Sequence, residues 1–284
     1  RTRAGPRMSE ARQPSAPTGV QRWGGYVAFV VIFAIACGLL SWWQWARRDE
    51  AVGEIVRVET NYDAPAEAVE RVLPKLDTAD EELEWLPVVL RGEYLSEYEL
   101  LVRNRVRDGL PGFEVLVPFQ LQSGEVFVVN RGWLPLAATG SLPEFVPAAP
   151  DGEVEVIARL QLGEPEIPGR GAPEGQIATI ELPAIDALVP EAVYTGMYGL
   201  LASEDPAPAE SPALAVKPEA DEGPHASYAL QWILFGVIAI VGLVWAYRRE
   251  RRIAALPVAE QAAARAERPR SADAEEEDAI LDRL

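Results

Sequence analysis

Two long blocks of uncharged, mostly apolar residues stand near the two ends of the chain. No charged residue occurs between residues 23 and 46, or between residues 226 and 247. A helix rises about 1.5 Å per residue, so about 20 residues cross the roughly 30 Å hydrocarbon core of a bilayer. Buried helices of soluble proteins are seldom free of charge over such a length. The pattern predicts transmembrane helices at residues 23–46 and 225–247.

The first block is predicted to be a retained anchor. It is longer than the apolar core of a signal peptide, and a small-residue cleavage site is missing because Ser41-Trp42-Trp43-Gln44-Trp45 follows it. Tryptophan and tyrosine concentrate where a helix leaves the bilayer. The tryptophans of this run fit that position in the first block, and Trp245 and Tyr247 fit it at the far end of the second block.

Arginines predict the orientation. Both termini are expected in the cytoplasm, because arginines cluster outside each block on the side away from the centre of the chain. The clusters are Arg1, Arg3, Arg7, Arg12 and Arg22 before the first block, and Arg248, Arg249, Arg251 and Arg252 after the second. Arg47 and Arg48 oppose this trend, but they adjoin a large acidic segment that suits an external domain.

The segment between the blocks has the pattern of a β-rich domain. Runs rich in Val, Leu and Phe predict strands at residues 86–90, 99–103, 113–121, 126–130, 154–162, 176–180 and 193–201. The short connection Gln122-Ser123-Gly124-Glu125 predicts an antiparallel hairpin. Apolar spacing favours short helices at residues 65–76 and 183–188. The predicted fold is a membrane protein with two transmembrane helices flanking a mainly antiparallel β (α+β) extracytoplasmic domain at residues 47–201.

Composition predicts the remaining segments. Residues 1–22 are expected to form a disordered cytoplasmic tail, since they are rich in Pro, Arg and Ser. Residues 202–224 are dominated by Pro, Ala and Glu, which is typical of a flexible linker. Residues 248–284 form the second cytoplasmic tail, which is Ala/Glu/Arg-rich and ends acidic.

Charge and residue counts exclude several functions. A net charge of −18 argues against nucleic acid, which requires a basic surface. Cys37 is the only cysteine and His225 the only histidine, so the central domain holds neither. A two-histidine zinc site is impossible, and nothing singles out an acid–base pair among many carboxylates. An enzyme is not expected, and the short C-terminal tail leaves no room for the output domain of a receptor.

Three stretches combine aromatic, glycine and polar residues in an unusual way. They are Trp43-Gln44-Trp45-Ala46-Arg47; Pro111-Gly112-Phe113 through Val117-Pro118 with Val128-Val129-Asn130-Arg131-Gly132-Trp133-Leu134-Pro135; and His225-Ala226-Ser227-Tyr228-Ala229-Leu230-Gln231-Trp232. In this order, over about residues 23–247, they resemble the surfeit locus protein 1 family, assembly factors of cytochrome c oxidase. Gly223-Pro224 departs from the family pattern, which often has asparagine just before the histidine.

The resemblance implies a function without catalysis. It implies an assembly factor for haem-copper cytochrome c oxidase that binds haem a transiently or delivers it to subunit I. The expected partners are the oxidase subunits, subunit I above all, a larger respiratory supercomplex and the lipid bilayer, in a bacterial plasma membrane that the chain crosses more than once. The alternative is a permanently bound accessory subunit of the oxidase or supercomplex that does not handle haem.

The resemblance places the proposed haem ligand on His225. A neutral imidazole is a common axial ligand of haem iron, and Tyr228 and Trp232, three and seven residues further on, share its helix face. A second interpretation is that His225 is an amphipathic residue at the membrane surface. No second axial ligand stands out, and Met197 falls in a predicted strand.

Other residues also have two interpretations. Arg47 and Arg48 could pair with haem propionates or extend to lipid headgroups, and the tryptophans around them could form an aromatic belt or a haem wall. Asn130-Arg131-Gly132-Trp133 is interpreted as a turn that orients the sheet, with a binding site as the less favoured option.

Overall fold

The computed structural model describes residues 19–138, 140, 142–257 and 260, with the backbone alone for residues 19–22. It divides into two compact units. One unit comprises the described residues up to Asp49 together with those from Gly223 onwards, and the other is Glu50–Glu222. Residues 1–18 and 261–284 lie outside the described residues, as do most of the tails predicted from composition.

The first unit is formed by two long apolar helices, α1 (Gly19–Asn61) and α4 (His225–Ala254), of which α1 continues beyond the unit. Each is long and apolar enough to cross a membrane, and its apolar side chains are mostly exposed rather than buried in a protein core. The chain is therefore a membrane protein with an apolar helix on either side of a β-rich domain.

Small residues let the two helices approach each other. Cys37 and Ser41 of α1 and Ala229 and Gly236 of α4 are buried. A Cβ added to Gly236 would lie 3.6 Å from the Cβ of Cys37. In lipid, helices associate through close backbone approach at small residues, because burying apolar side chains there gives no hydrophobic gain.

The β unit is an eight-stranded sheet whose central part closes on itself. The strands are β1 (Glu67–Ala68), β2 (Pro87–Tyr94), β3 (Leu100–Arg107), β4 (Leu110–Leu121), β5 (Val126–Pro135), β6 (Val154–Leu162), β7 (Gln176–Ile177) and β8 (Met197–Asp205). The order β2-β6-β8-β5-β4 returns to β2, because β4 also pairs with β2. The result is a closed barrel, antiparallel except where β5 meets β8.

One glycine permits the closure. Gly92 of β2 pairs with Leu121 of β4, and a Cβ at Gly92 would collide with the backbone carbonyl of Gln120. Any other residue would force the two strands apart. Closure removes the exposed strand edges that would otherwise pair with other chains.

Two apolar clusters fill the domain. The barrel interior holds one, which includes Phe119, Phe127, Val156 and Leu160. The second lies on the other face of β4 and β5, beneath the short helix α3 (Leu182–Asp186), and includes Leu116, Val126, Val128, Ile180, Leu182 and Ile185. Strands β4 and β5 are thus buried on both faces, which explains their near-continuous apolar sequence.

The hairpin predicted at residues 122–125 is confirmed as the β4–β5 connection, where Gly124 has φ +103°. Several predicted elements differ. The strand predicted at residues 176–180 is only Gln176–Ile177, and the strand predicted at residues 193–201 lies at Met197–Asp205. The helix predicted at residues 65–76 reduces to one turn, α2 (Val69–Val72), because β1 takes the preceding residues to pair with β2. The strand predicted to end at residue 130 runs to Pro135.

The segment from residue 202 also differs from the expectation drawn from its composition. Its first residues belong to β8, which ends at Asp205. Further on, the backbone of Ala213 exchanges two 2.9 Å hydrogen bonds with Trp133. The Lys217 ammonium lies 2.6 Å from the Asp63 carboxylate. Backbone pairing and an ion pair therefore hold a segment whose composition alone is typical of a flexible linker.

Candidate functional site

His225 is the first residue of α4 and is half-buried. Its Nδ1 lies 2.9 Å from the side-chain oxygen of Gln44 on α1. An amide oxygen only accepts hydrogen bonds, so the tautomer that suits this contact carries its proton on Nδ1 and its lone pair on Nε2. A hydrogen bond of this kind to the remote nitrogen is what orients imidazoles that bind metals.

Glycine at position 223 leaves room beside the other edge of the ring. Gly223 has φ +65°, and an added Cβ would lie 3.2 Å from Cδ2 and 3.3 Å from Nε2 of His225. A side chain here would be strained by the backbone and would crowd the nitrogen that carries the lone pair. Glycine at this position therefore puts no side chain beside Nε2.

The other predicted site residues on α4 lie on the face that starts at His225. Tyr228 is exposed, and its backbone N–H donates to the carbonyl of Pro224 at 3.1 Å, closing the first turn. Trp232 is half-buried and packs edge-to-face on Phe235, with 5.8 Å between ring centroids. Residues three and four apart on a helix are neighbours, so the face is aromatic.

Arg47 and Arg48 follow Gln44 by three and four residues on α1. Each guanidinium lies over a tryptophan of the preceding turn, Arg47 over Trp43 and Arg48 over Trp45, at 5.9 Å in both cases. Cation–π contacts of this kind hold the arginine stems along the helix. The arginines and Gln44 therefore occupy adjacent turns of one helix face.

Sequence reasoning missed Gln44 as the partner of His225. The signal was present, since Gln44 is the only amide inside the aromatic run at the exit of the first block. Among the described residues, no group of three or more His, Cys, Asp or Glu side chains is placed to hold a metal ion. His225 thus stands as a single imidazole, which is the donor set of one axial position on haem iron.

Arg131 occupies a different kind of environment, inside the barrel. It has no exposed surface, and its Nη2 lies 2.9 Å from the Glu204 carboxylate. Its Nη1 donates to the carbonyl of Pro147 at 2.8 Å. The Tyr94 hydroxyl donates to the second Glu204 oxygen at 2.7 Å, and the Tyr94 ring lies 5.5 Å from the guanidinium. Burial and the neighbouring Glu204 charge raise the pKa of Tyr94.

Arg131 faces the barrel interior, as Val129 two residues before it does, and a β-bulge lies at this position. Across β4 and β5, Val115 pairs with Gly132 and Leu116 pairs with Asn130, so Arg131 is the extra residue. The Asn130 side chain accepts from the Gly132 N–H at 3.0 Å and braces the bulge. The stretch is therefore a bulge inside β5, and the turn predicted from the sequence is wrong.

A second bulge delivers Glu204. Across β6 and β8, Ala158 pairs with Leu201 and Ile157 pairs with Ser203, which leaves Ala202 unpaired. Without this extra residue, alternation from the interior residue Leu201 would turn Ser203 inward and Glu204 outward. The bulge in β8 thus brings Glu204 to the face of the sheet on which alternation from Val129 already places Arg131.

Trp133, next to the bulge in β5, connects that bulge to the β3–β4 hairpin. Its indole N–H donates to the carbonyl of Arg105 at 2.9 Å. A Cβ added to Gly112 would lie 2.5 Å from the Trp133 ring, and one on Gly132 would lie 2.7 Å from the Ala213 carbonyl. The close approaches explain both glycines of the motif.

Arg105 lies beside Trp133 in a cleft of about 370 Å³. Its guanidinium is 2.7 Å from the Glu164 carboxylate and 3.2 Å from that of Glu114. Burial raises the pKa of Glu114, while the Arg105 charge opposes that rise. The Arg105 charge is compensated within the domain.

The stretches singled out in the sequence thus form two clusters, one in each unit. Gly112 and Phe113 pair with Pro135 and Leu134, and the next residues of β4, Glu114–Leu116, pair with the Asn130–Trp133 bulge of β5. Gln44 of the tryptophan-rich stretch meets His225. The first cluster is sealed and organises the sheet, whereas the second is half-exposed and keeps a nitrogen available.

Comparison with known proteins agrees with the resemblance. A model of the SURF1 family matches residues 31–237. The chain is 31% identical over 228 residues to an uncharacterized SURF1-like protein of Mycobacterium bovis, covering 78% of this chain and 82% of that protein. Uncharacterized SURF1-like proteins of two Mycobacterium tuberculosis strains match to the same extent. The chain belongs to the SURF1 family, a family of cytochrome c oxidase assembly factors.

Proposed function

We propose that this protein binds haem a transiently and hands it to subunit I of cytochrome c oxidase, with His225 as the imidazole that meets the iron. The observation that carries the proposal is the 2.9 Å contact between His225 Nδ1 and Gln44. The tautomer that suits this contact has the Nε2 lone pair as the donor, and Gly223 puts no side chain beside that atom.

The residues present fit a haem. Haem a, when bound, supplies an iron atom with axial positions, an apolar macrocycle and two propionates. His225 would hold the iron, and the aromatic face of Tyr228 and Trp232 would lie against the macrocycle. Arg47 and Arg48 would hold the propionates by charge-assisted hydrogen bonds. A cargo held by one protein ligand suits transfer better than permanent storage.

Gln44 acts through His225. By accepting from Nδ1–H it keeps the ring in one tautomer and one orientation, so that Nε2 is presented each time the site is loaded. No bond is made or broken in the cargo, and no enzymatic step belongs to this function.

The proposed location is the bacterial plasma membrane, with both termini in the cytoplasm and the β domain outside. Arg248, Arg249, Arg251 and Arg252 at the end of α4 support this orientation. His225, at the start of the same helix, then lies at the outer surface, where the oxidase subunits are partners for the β domain.

The test replaces His225 with alanine in the full-length protein, purified in mild detergent from cells that make haem a. The haem content per chain should fall to background, and mature oxidase should fall with it. The matched control is Gln231→Ala, another polar residue on α4, about 120° around the helix from His225. Haem content of H225A equal to that of the control would overturn the ligand assignment.

The same preparation separates this proposal from its alternative. A chain that stays bound to active oxidase in fixed proportion, and that carries no haem when isolated, would be an accessory subunit of the oxidase or of a respiratory supercomplex. A chain that carries haem when isolated and is absent from the mature oxidase would support transfer.

A further inference from the structure

A groove of about 660 Å³ runs between the two helices at the end opposite His225. One wall is Trp23 and Val27 of α1, and the other is formed by Leu243, Val244 and Tyr247 of α4. Trp23 packs edge-to-face on Tyr247 with 5.2 Å between ring centroids, so aromatic rings hold the helices together where the groove ends.

Three arginines, Arg248, Arg251 and Arg252, complete the lining of this groove. In the part of the chain that the structure describes, none of the three forms an ion pair with a carboxylate. Arg251 instead lies over the ring of Tyr247 at 5.7 Å. With Arg249 and one acid, Glu250, the segment 248–252 has a net charge of three positive units.

The groove therefore has two parts with different chemistry. Its apolar walls belong to helices that cross the membrane, and its open end is a row of guanidinium groups that match phosphate oxygens. A free anion would use only the arginines, and an acyl chain alone would use only the walls. A molecule that joins a negatively charged phosphate group to an acyl chain uses both.

We propose that this groove binds one anionic phospholipid, with its phosphate on Arg248, Arg251 and Arg252 and an acyl chain along Val27 and Val244. The site is separate from His225 and does not rest on the haem proposal. The lipid would join the two helices at the end where Trp23 and Tyr247 meet, adding to the small-residue contact around Gly236.

The chain offers a matched pair of arginines for the test. Arg251 lies over Tyr247 at 5.7 Å and lines the groove between the helices. Arg249 lies over Trp245 at 5.4 Å and lines a smaller depression, of about 540 Å³, on α4 alone. Each is four residues after its aromatic partner, and each contributes one charge at the same level of the helix. General attraction to an anionic surface predicts equal effects from the two, whereas a lipid between the helices does not.

The experiment titrates the delipidated full-length protein with dioleoylphosphatidylglycerol in non-ionic detergent and counts bound lipid by native mass spectrometry. One lipid should be retained, and Arg251→Gln should weaken its binding about fivefold while Arg249→Gln changes it less than twofold. Arg251→Lys, which keeps the charge, should restore most of the affinity. A triple variant, R248Q/R251Q/R252Q, should bind no lipid.

Further arms identify the chemistry. Dioleoylphosphatidylcholine should bind at least tenfold more weakly, and inorganic phosphate should not compete at millimolar concentration. Equal losses from R251Q and R249Q, equal binding of the two lipids, or competition by inorganic phosphate would each overturn the proposal. Circular dichroism and the elution volume in detergent, unchanged in each variant, show that the effects arise from binding rather than from unfolding.

Discussion

Arg131 and His225 are both polar residues of family-like stretches, but their surroundings are opposite. Arg131 is sealed in the barrel, where Glu204, Pro147 and Tyr94 satisfy or cover its guanidinium. His225 is half-buried and has a hydrogen bond to Gln44 on one nitrogen. A buried charge with several partners has an architectural role, because nothing outside can reach it. A half-exposed imidazole with one oriented nitrogen is suited to a ligand.

Substitutions of the buried pair, Arg131 and Glu204, test this contrast most directly. Arg131→Met or Glu204→Leu alone should reduce the free energy of unfolding by about 3–5 kcal/mol, because either change leaves one uncompensated charge in the barrel. The double variant should lose less than the sum of the two single changes, since no charge is then unpaired. Urea unfolding in detergent, followed by tryptophan fluorescence, measures the difference.

An exposed ion pair of the same length serves as control. Arg91 and Glu155 are 2.8 Å apart, and their side chains are 64% and 48% exposed. Arg91→Met should cost less than about 1 kcal/mol, because water screens and replaces the interaction. Equal costs at the two pairs would contradict an architectural role for Arg131.

Substitutions of the pair Gln44 and His225 should change haem binding rather than the stability of the fold. Gln44→Leu removes the acceptor for His225 Nδ1, so haem affinity should fall about 10–100-fold, while unfolding changes little. Gln44→Glu keeps an oxygen acceptor and should retain most of the affinity. The measurement is haem titration followed by the Soret absorbance. A Gln44→Leu protein with full affinity would show that the amide does not orient the ring.

A substitution at Gly132 tests how closely the bulge in β5 packs against residues 212–213. Gly132→Ala should destabilise by about 1–3 kcal/mol, because φ is +130° and the new Cβ would meet the Ala213 carbonyl at 2.7 Å. Gly124→Ala is the control, since φ there is +103° but nothing lies within 4 Å of the added carbon. The difference between the two melting curves isolates the close approach from the backbone strain. No difference would mean that residues 212–213 move aside.

The smallest effect is expected at Glu99. Burial raises the pKa of this carboxyl from its ordinary 4.5, and the Arg131 charge only partly opposes that rise. A carboxyl with a raised folded-state pKa stabilises the fold below about pH 4.5, and that contribution is lost as the pH rises through the folded-state pKa. Glu99→Gln should therefore stabilise the protein slightly at pH 7 and flatten the fall of its stability as the pH rises above about 4.5. Destabilisation at pH 7 would contradict this account.

Strand positions followed from local pattern with good accuracy, but strand pairing did not. The alternation in Val154–Leu162 and the connection at residues 122–125 are local signals, and both elements are present. Closure of the barrel depends on Gly92 meeting Gln120, a contact between residues of separate strands that no local window contains. The parallel pairing of β5 with β8 is likewise set by packing between segments that are far apart in the sequence.

The candidate site shows the same difference between local signals, which were recognised, and long-range contacts, which were not. His225 stood out by residue type and by family resemblance, while its partner Gln44 is 181 positions away and was not identified. Glu204 lies in a stretch whose composition suggests a linker, so nothing nearby marked it as the counter-ion of Arg131. Each missing partner belongs to another element of the fold.

The sequence by itself determined what depends on single segments: two apolar helices, the short strands between them, the lone histidine and the family. The tertiary structure decided which polar groups meet, because that depends on how strands and helices are registered against each other. A one-residue bulge in β8 turns Glu204 inward to meet Arg131, where desolvation makes their pairing necessary. Contact between α1 and α4 at small residues brings Gln44 to Nδ1 of His225.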